Sequence, residues 1–305
     1  MKILLFGKSG QVGWELQRSL APLGELVALD RHGDIHLCGD LSDPDGLVRT
    51  IRSVAPDVIV NAAAYTAVDN AEHEPGHVQT INALAPGLMA REACAIDAWL
   101  VHYSTDYVFD GSGSRPWRED DATAPLNVYG KTKREGEEAI RDSGCKHLVF
   151  RTSWVYGTRG RNFPRNLLAR AAEQEVLSVV DDQIGAPASA ELIADVTAHA
   201  LRMAMQSPAL GGLYHLTASG EVSWCDYAHF LMAEARRMGM VLKAKTIEPV
   251  TTIERPVVAR RPLNSRLDCS RIQQSFNLYL PPWQQGVSRW LEESRLIAQE
   301  PSSCR

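Results

Sequence analysis

A tyrosine and a lysine four residues apart, in Tyr129-Gly-Lys-Thr-Lys133, are the side chains of this 305-residue sequence best suited to moving a proton. A helix-prone run, Arg134-Glu-Gly-Glu-Glu-Ala-Ile140, follows them. On a helix, positions i and i+4 lie on one face about a turn apart. A free phenol has a pKa near 10, and a neighbouring ammonium favours the phenolate and lowers it. Reaching about 7 takes roughly 4 kcal/mol at about 1.36 per unit, which one lysine in a shielded site, helped by a cationic ring close by, could supply. The spacing therefore predicts a proton donor with its tuning charge. The competing reading is a half-buried tyrosine beside a solvated lysine, and the surrounding elements have to decide.

Those elements alternate. Residues 2–6 read as a buried strand, Gly7-Lys-Ser-Gly10-Gln-Val-Gly13 as a glycine-rich turn, and Trp14–Leu20 as a helix. Strand, glycine turn and helix start form an entry for a dinucleotide, whose diphosphate suits close backbone and a helix N-terminus. The spacing is G-x-x-G-x-x-G, and a merely tight turn is the rival reading. A second strand, Glu25–Leu29, ends in Asp30-Arg31. Asp30 would accept hydrogen bonds from an adenosine ribose and favour NADH, whereas Arg31 would hold a 2′-phosphate and favour NADPH. Both stay open, as does Asp30 being simple strand-end punctuation.

Gly39-Asp40-Leu41 precedes a predicted helix over 44–54, and Asp57–Val60 reads as strand three. The small residues of Asn61-Ala-Ala-Ala64 then let a flat cofactor lie close to backbone. A helix is predicted from about Pro75 to Ile96, strand four over Trp99–Tyr103, a helix over 126–142 and strand five over His147–Arg151. Ser104-Thr105-Asp106 falls at the carboxyl end of strand four. Strands alternating with helices of this length indicate an α/β, Rossmann-type doubly wound parallel sheet, which binds ligands outside the carboxyl ends of its strands.

Beyond residue 155 the alternation loosens. Helices are predicted over Asn162–Glu173, Ala190–Leu201, Ser223–Met238 and Trp283–Leu296, and strands over Leu177–Val180 and Gly212–Leu216. The expected division is a dinucleotide-binding domain over 1–156, with a return contribution from about 188–218, and a smaller substrate-binding lobe over 157–187 and 219–305. Arg255, Arg260, Arg261, Arg266 and Arg271 read either as a solvated face or as a cradle for an anionic substrate such as a diphosphate. The tail Pro301–Arg305 is expected to be loose.

Composition narrows the class. A formal charge of −5 gives no general attraction to nucleic acid or to an anionic membrane. Six scattered cysteines without a C-x-x-C pair favour a reducing compartment. The apolar opening Ile3–Phe6 stops at Gly7, too short for a signal h-region, and no apolar run approaches the length of a membrane span. A cytoplasmic enzyme without nucleic-acid or membrane partners is expected.

Taken together, these residues resemble the extended short-chain dehydrogenase/reductase family, and within it the enzymes of nucleotide-sugar metabolism. The stretches carrying the resemblance are Gly7–Gly13, Tyr103-Ser-Thr-Asp-Tyr-Val-Phe-Asp-Gly111, Tyr129–Lys133, Arg151-Thr-Ser-Trp-Val-Tyr-Gly157, Asp182-Gln-Ile-Gly-Ala-Pro187 and Arg261-Pro-Leu-Asn-Ser-Arg-Leu-Asp268. It runs from Met1 to about Gly286. The resemblance implies a catalytic trio of Thr105, Tyr129 and Lys133. It implies cofactor contacts from Gly7, Gly10, Gln11, Val12, Gly13, Asp30, Arg31, Asp40, Leu41, Ala63, Ala64, Tyr65, Thr66 and Tyr103, with Tyr129 and Lys133 at the nicotinamide ribose. Thr105, Asp106 and Trp154 match sugar-contacting positions, although Trp154 also reads as a core aromatic between lobes.

The implied reaction is hydride transfer from NADPH or NADH to C4 of a dTDP-4-keto-6-deoxy sugar while Tyr129 gives up its proton. Related 4,6-dehydratases carry an acidic pair after the threonine; here it is Asp106-Tyr107, which favours simple reduction over elimination. Some members are magnesium-linked homodimers, which would place Glu191 and Glu293 at a metal, unless these are plain surface glutamates. A second class shares the fold: the regulatory subunit of methionine adenosyltransferase, a binding partner rather than a reductase. The intact Thr105–Tyr129–Lys133 set, and a chain that starts directly at its first strand, speak against it.

Overall fold

The computed structural model describes residues 1–299; the tail Pro301–Arg305 lies outside the described residues. The first half runs β1 (Lys2–Phe6), α1 (Gln11–Leu20), β2 (Glu25–Leu29), α2 (Pro44–Val54), β3 (Val58–Asn61), α3 (Val68–Ala71), α4 (Pro75–Gln79), α5 (Ala85–Ala95), β4 (Trp99–Thr105), α6 (Val128–Asp142) and β5 (Lys146–Thr152). The second continues with β6 (Val155–Tyr156), α7 (Phe163–Glu173), β7 (Val176–Val180), β8 (Ile184–Gly185), β9 (Ala188–Ser189), α8 (Ala190–Gln206), β10 (Gly212–His215), β11 (Val222–Ser223), α9 (Trp224–Arg237), β12 (Thr246–Val250), α10 (Ser270–Phe276) and α11 (Trp283–Gln299).

Six parallel strands form the main sheet in the order β10-β5-β4-β3-β1-β2. Side chains alternate across a strand, so each near-continuous apolar run serves two faces. Ile3, Leu5, Val58, Val60, Val101, Leu148 and Phe150 pack with Leu16 of α1, Ile193 of α8 and Phe276 of α10. Leu4, Phe6, Ile59, Leu100 and Val149 pack on the other face with Ile51 of α2, Met89 of α5 and Ile140 of α6. A separate apolar cluster gathers Tyr156, Leu167, Leu177, Tyr227, Leu231, Trp283, Trp290 and Leu291 from β6, α7, β7, α9 and α11.

The single helix predicted over Pro75–Ile96 is interrupted. Residues Thr80–Leu84 form a π-turn between α4 and α5, in which the Ala85 N–H donates to Thr80 O five residues back. The cause is in the sequence: Pro86 has no N–H to give to Asn82 O four residues earlier, so the α-ladder cannot close there. The freed Asn82 carbonyl faces α6, where a Cβ on Gly136 would stand 2.3 Å from it. The Asn82 amide accepts the Tyr65 N–H at 2.9 Å and donates to Tyr65 O at 3.0 Å, fixing the loop after β3. The strand β12, which pairs with β7, and the helix α10 were not foreseen, nor were the two-residue pairings β6–β9 and β8–β11. Segments that short carry no readable period.

Candidate active site

The glycine turn after β1 is built for close approach. Gly7 has φ +86°, and the Gly7 and Lys8 N–H groups donate to Leu29 O at 2.8 and 3.0 Å. A Cβ on Gly13 would lie 1.9 Å from Gly7 O, and one on Gly7 would lie 2.7 Å from Ala63 N. The turn is thereby pressed between α1 and the Asn61–Ala64 segment. α1 begins at Gln11 with no side-chain cap and no acidic residue in its first turn, so its first N–H groups are left for an anion. Val12 packs against the sheet core.

Asp30 accepts from the His32 N–H at 3.0 Å and from the Ser9 hydroxyl at 3.1 Å. Arg31 is 70% exposed and its Nε reaches Asp40 at 3.3 Å, so neither side chain of the Asp30-Arg31 pair is withdrawn from a ribose. The Leu41 side chain is buried in the core with Leu29 and Leu47. Gln11, beyond its helix start, accepts from Asn162 Nδ2 at 2.9 Å, joining α1 to the start of α7.

Asn127 caps α6, accepting the Gly130 N–H at 2.8 Å, while its Nδ2 donates to Arg260 O at 2.8 Å. The Val128 N–H is taken by Glu72 at 2.8 Å. A Cβ on Gly130 would stand 2.1 Å from Tyr107 O, so this first turn is pressed onto the carboxyl end of β4. Tyr129 is brought to the Thr105 hydroxyl and meets the Tyr107 ring edge-on, centroids 5.8 Å apart. Thr105 also donates to Asp106 Oδ1 at 3.0 Å.

The groups of the chain alone do not lower the Tyr129 pKa. Burial pushes it up to about 12, the Thr105 hydroxyl pulling down and the Asp106 charge pushing further up. Lys133 is one turn on, as predicted, but its long stem carries Nζ onto β4, 2.6 Å from Tyr103 O and 3.1 Å from His102 Nε2. Burial lowers Lys133 to about 8, with Glu137 opposing. Helical spacing fixed the shared face, but not where the ammonium ends. Burial thus favours the protonated form of the phenol.

Asp106 is 2% exposed; burial raises its pKa to about 6 against the hydroxyls of Ser265 and Thr105. Among the described residues its Oδ2 has no partner, nor do the buried hydroxyls of Ser104 on β4 and Thr152 on β5, or Nη1 of Arg261. Arg261 donates through Nη2 to Asp69 at 2.7 Å and stands over the Tyr107 ring at 5.9 Å. Buried polar groups are ordinarily hydrogen-bonded, so such open atoms at the carboxyl ends of strands are candidates for contact with water, an ion or a ligand.

From Arg261 a cavity of about 390 Å³ opens between Phe163 and Arg170 of α7, Gln183, Trp224 and Arg255. Of the five arginines, Arg255 and Arg261 line it. Arg266 and Arg271 instead pair with Glu221 and with Glu119 and Asp120, and Arg260 is exposed. The five arginines thus divide between the cavity wall, carboxylate partners and open solvent. Trp154 stacks on Trp224 with centroids 3.6 Å apart and packs against the lobe's core, and it is Trp224 that lines the cavity. Trp154 has φ +48°, a strained conformation of order 1–3 kcal/mol for a bulky residue. Phe163, Arg170, Gln183 and Trp224 carried no spacing signal that would have singled them out.

Glu191 on α8 and Glu293 on α11 are brought together, but around a cation of the protein's own: Arg289 reaches them at 2.8 and 3.3 Å. Among the described residues there is no group of three or more His, Cys, Asp or Glu arranged to hold a metal ion.

A six-stranded parallel sheet whose strand ends gather a glycine turn and a Thr–Tyr–Lys set defines an oxidoreductase of the extended short-chain dehydrogenase/reductase class. A family model described as the RmlD substrate binding domain matches residues 1–296, and the chain belongs to that family, the dTDP-4-dehydrorhamnose reductases. The chain is 56% identical over 293 residues to the dTDP-4-dehydrorhamnose reductase of Escherichia coli (strain K12), covering 96% of this chain and 98% of that one. Among solved structures it is similar to the reductase of Clostridium acetobutylicum, with TM-score 0.87 at 31% identity over 97% of this chain and 100% of the other. The Bacillus anthracis reductase in complex with NADP gives TM-score 0.85 at 30% identity, over 96% and 99%.

Proposed function

We propose that this protein reduces dTDP-4-dehydro-L-rhamnose to dTDP-L-rhamnose, the last step in making that nucleotide sugar, with NADPH or NADH as donor. The Gly7–Gly13 turn, which a Cβ would fill, and the uncapped start of α1 fit a dinucleotide diphosphate, and Asp30, Arg31 and Asp40 would take its adenosine ribose. When bound, the dinucleotide supplies the hydride. Thr105 and Tyr129 hydrogen-bond the C4 oxygen as negative charge develops on it, and Tyr129 then gives that oxygen its proton. Lys133 would hold the ribose and support the phenolate left behind, and the open Asp106 Oδ2 would take a sugar hydroxyl. Arg255 and Arg261 would meet the diphosphate in the cavity, with Trp224 against the base. The observation that carries this is a buried phenol brought to the Thr105 hydroxyl at the carboxyl end of β4. NADP in the Bacillus anthracis relative supports NADPH.

The trio and the 56% identity to a named reductase favour catalysis over the regulatory-subunit reading. The division into a dinucleotide domain over 1–156 with 188–218, and a substrate lobe over 157–187 and 219–305, finds support in the separate apolar clusters for α7, β7, α9 and α11, but α10, with Ile272 and Phe276, packs on the sheet. A magnesium-linked homodimer through Glu191 and Glu293 would require Arg289 to release both carboxylates; mass with and without chelator tests it. For the activity itself, purified protein is given dTDP-4-dehydro-L-rhamnose with each nicotinamide in turn. Rapid cofactor oxidation is expected with this sugar and little with UDP-linked ketones; no oxidation with either nicotinamide would overturn the assignment.

A further inference from the structure

Behind Lys133 runs a closed line of hydrogen bonds. Its Nζ lies 3.1 Å from His102 Nε2, and His102 Nδ1 lies 3.1 Å from Asn61 Nδ2. Asn61 Oδ1 accepts the Ala63 N–H at 3.1 Å, within the segment that Gly7 presses against. Asn61, His102 and Lys133 are each 1% exposed. Burial, and then the lysine's charge, hold His102 well below the usual imidazole range, so it carries a single ring proton.

The line then has a parity. The Ala63 N–H fixes Asn61 with its oxygen toward the backbone and its NH₂ toward His102 Nδ1, which must accept. The ring proton is then on Nε2 and points at Lys133, where only the lone pair of a neutral amine can receive it. An ammonium on Lys133 needs the opposite: Nε2 accepting, the proton on Nδ1, and the Asn61 amide turned so that its NH₂ opposes the Ala63 N–H. One donor facing another, buried, is the cost of the third lysine proton.

We propose that His102 is a positioning residue for Lys133 that, through Asn61 and the Ala63 N–H, decides whether the lysine nitrogen carries two protons or three. The other charged groups nearby do not substitute for it. Glu137, a turn further along α6, is committed to Arg151 of β5 through two hydrogen bonds. Glu72 holds the Val128 N–H, Asp69 holds Arg261, and Glu92 of α5 pairs with Arg52. Asp106 is bonded to Thr105, Glu135 takes Gln79 of α4, and Tyr103 offers Lys133 its carbonyl while its hydroxyl bonds Thr197. A neutral imidazole tethers the lysine without cancelling its charge, and the tether sets where on the pH scale that charge is lost.

The test has one arm independent of activity. In the intact protein labelled with ¹⁵N-histidine, His102 should pass from the Nδ1–H to the Nε2–H tautomer, staying neutral, as pH rises through the titration of Lys133. A His102 that keeps one tautomer throughout would overturn the proposal, whatever the enzyme's substrate proves to be. The second arm rests on the proposed reductase activity and reads the alkaline limb of its pH profile. In His102→Gln the amide oxygen accepts from an ammonium with no proton to relocate. In Asn61→Asp the carboxylate accepts both the Ala63 N–H and Nδ1–H. Each should move the limb upward by about one pH unit, a tenfold change in proton concentration. Limbs coincident with wild type in both folded variants would overturn the proposal, and a failure of either to fold leaves the tautomer measurement to decide.

Discussion

Two stretches of α6, about two turns apart, face buried polar neighbourhoods of opposite character. At Glu137, Arg151 is gripped by two hydrogen bonds of 2.9 and 2.7 Å and lies over the Phe109 ring. Nearby His215 is held neutral by burial and by the Arg151 charge, its pKa pushed down to about 3. Two turns earlier is Tyr129, where neighbouring Asp106 keeps Oδ2, and Arg261 over the Tyr107 ring keeps Nη1, without a partner among the described residues. Both clusters are desolvated, and only one is finished. The closed one holds α6 to β5; the other leaves polar atoms without a partner among the described residues.

That contrast can be broken by mutation. Tyr129→Phe should lower turnover by roughly 10²–10⁴-fold while leaving cofactor affinity and melting temperature nearly unchanged, because it removes the proton and little packing. Steady-state kinetics beside a cofactor titration would check it, and wild-type turnover would remove Tyr129 from the chemistry. Glu137→Ala should act on stability instead, by about 3–5 kcal/mol in denaturant unfolding, since it strands a buried guanidinium. Replacing both partners, Glu137→Leu with Arg151→Met, should cost much less; an equal loss would mean that the pair is not what holds the contact.

The smallest effect sharpens the comparison. Asp106 has a folded-state pKa of about 6 against an ordinary 3.8, so the fold favours its neutral form. That contribution is complete below pH of about 4 and is lost as pH rises through about 6, near 3 kcal/mol in all at about 1.36 per unit. Asp106→Asn should therefore melt above wild type at neutral pH and match it in acid, at the expense of substrate affinity. Parallel melting curves across that range would show that the open cluster carries no such strain.

Much of this was legible beforehand. The run Ile3–Phe6, the Gly7–Gly13 turn and the Tyr129–Lys133 spacing are local, and local periodicity and glycine stereochemistry set them. Thr105 and Asp106 followed from the end of a strand. The π-turn was missed although Pro86 announces it, because one long helical period was read across it. His102 and Lys133 stand 31 residues apart, and Trp154 meets Trp224 across the chain's second half. No spacing links such pairs. The same holds for the arginines, two of which reach the cavity while their neighbours find carboxylates elsewhere.

The sequence by itself determined which residues sit on which strand end and that a phenol and an amine share one helical face, because both depend on backbone geometry within a few residues. Only the tertiary structure decided how those groups are protonated. A pKa answers to water excluded and partners met, and for Tyr129, Lys133 and Asp106 burial, the leading influence on all three, is created by segments that meet only when the sheet closes.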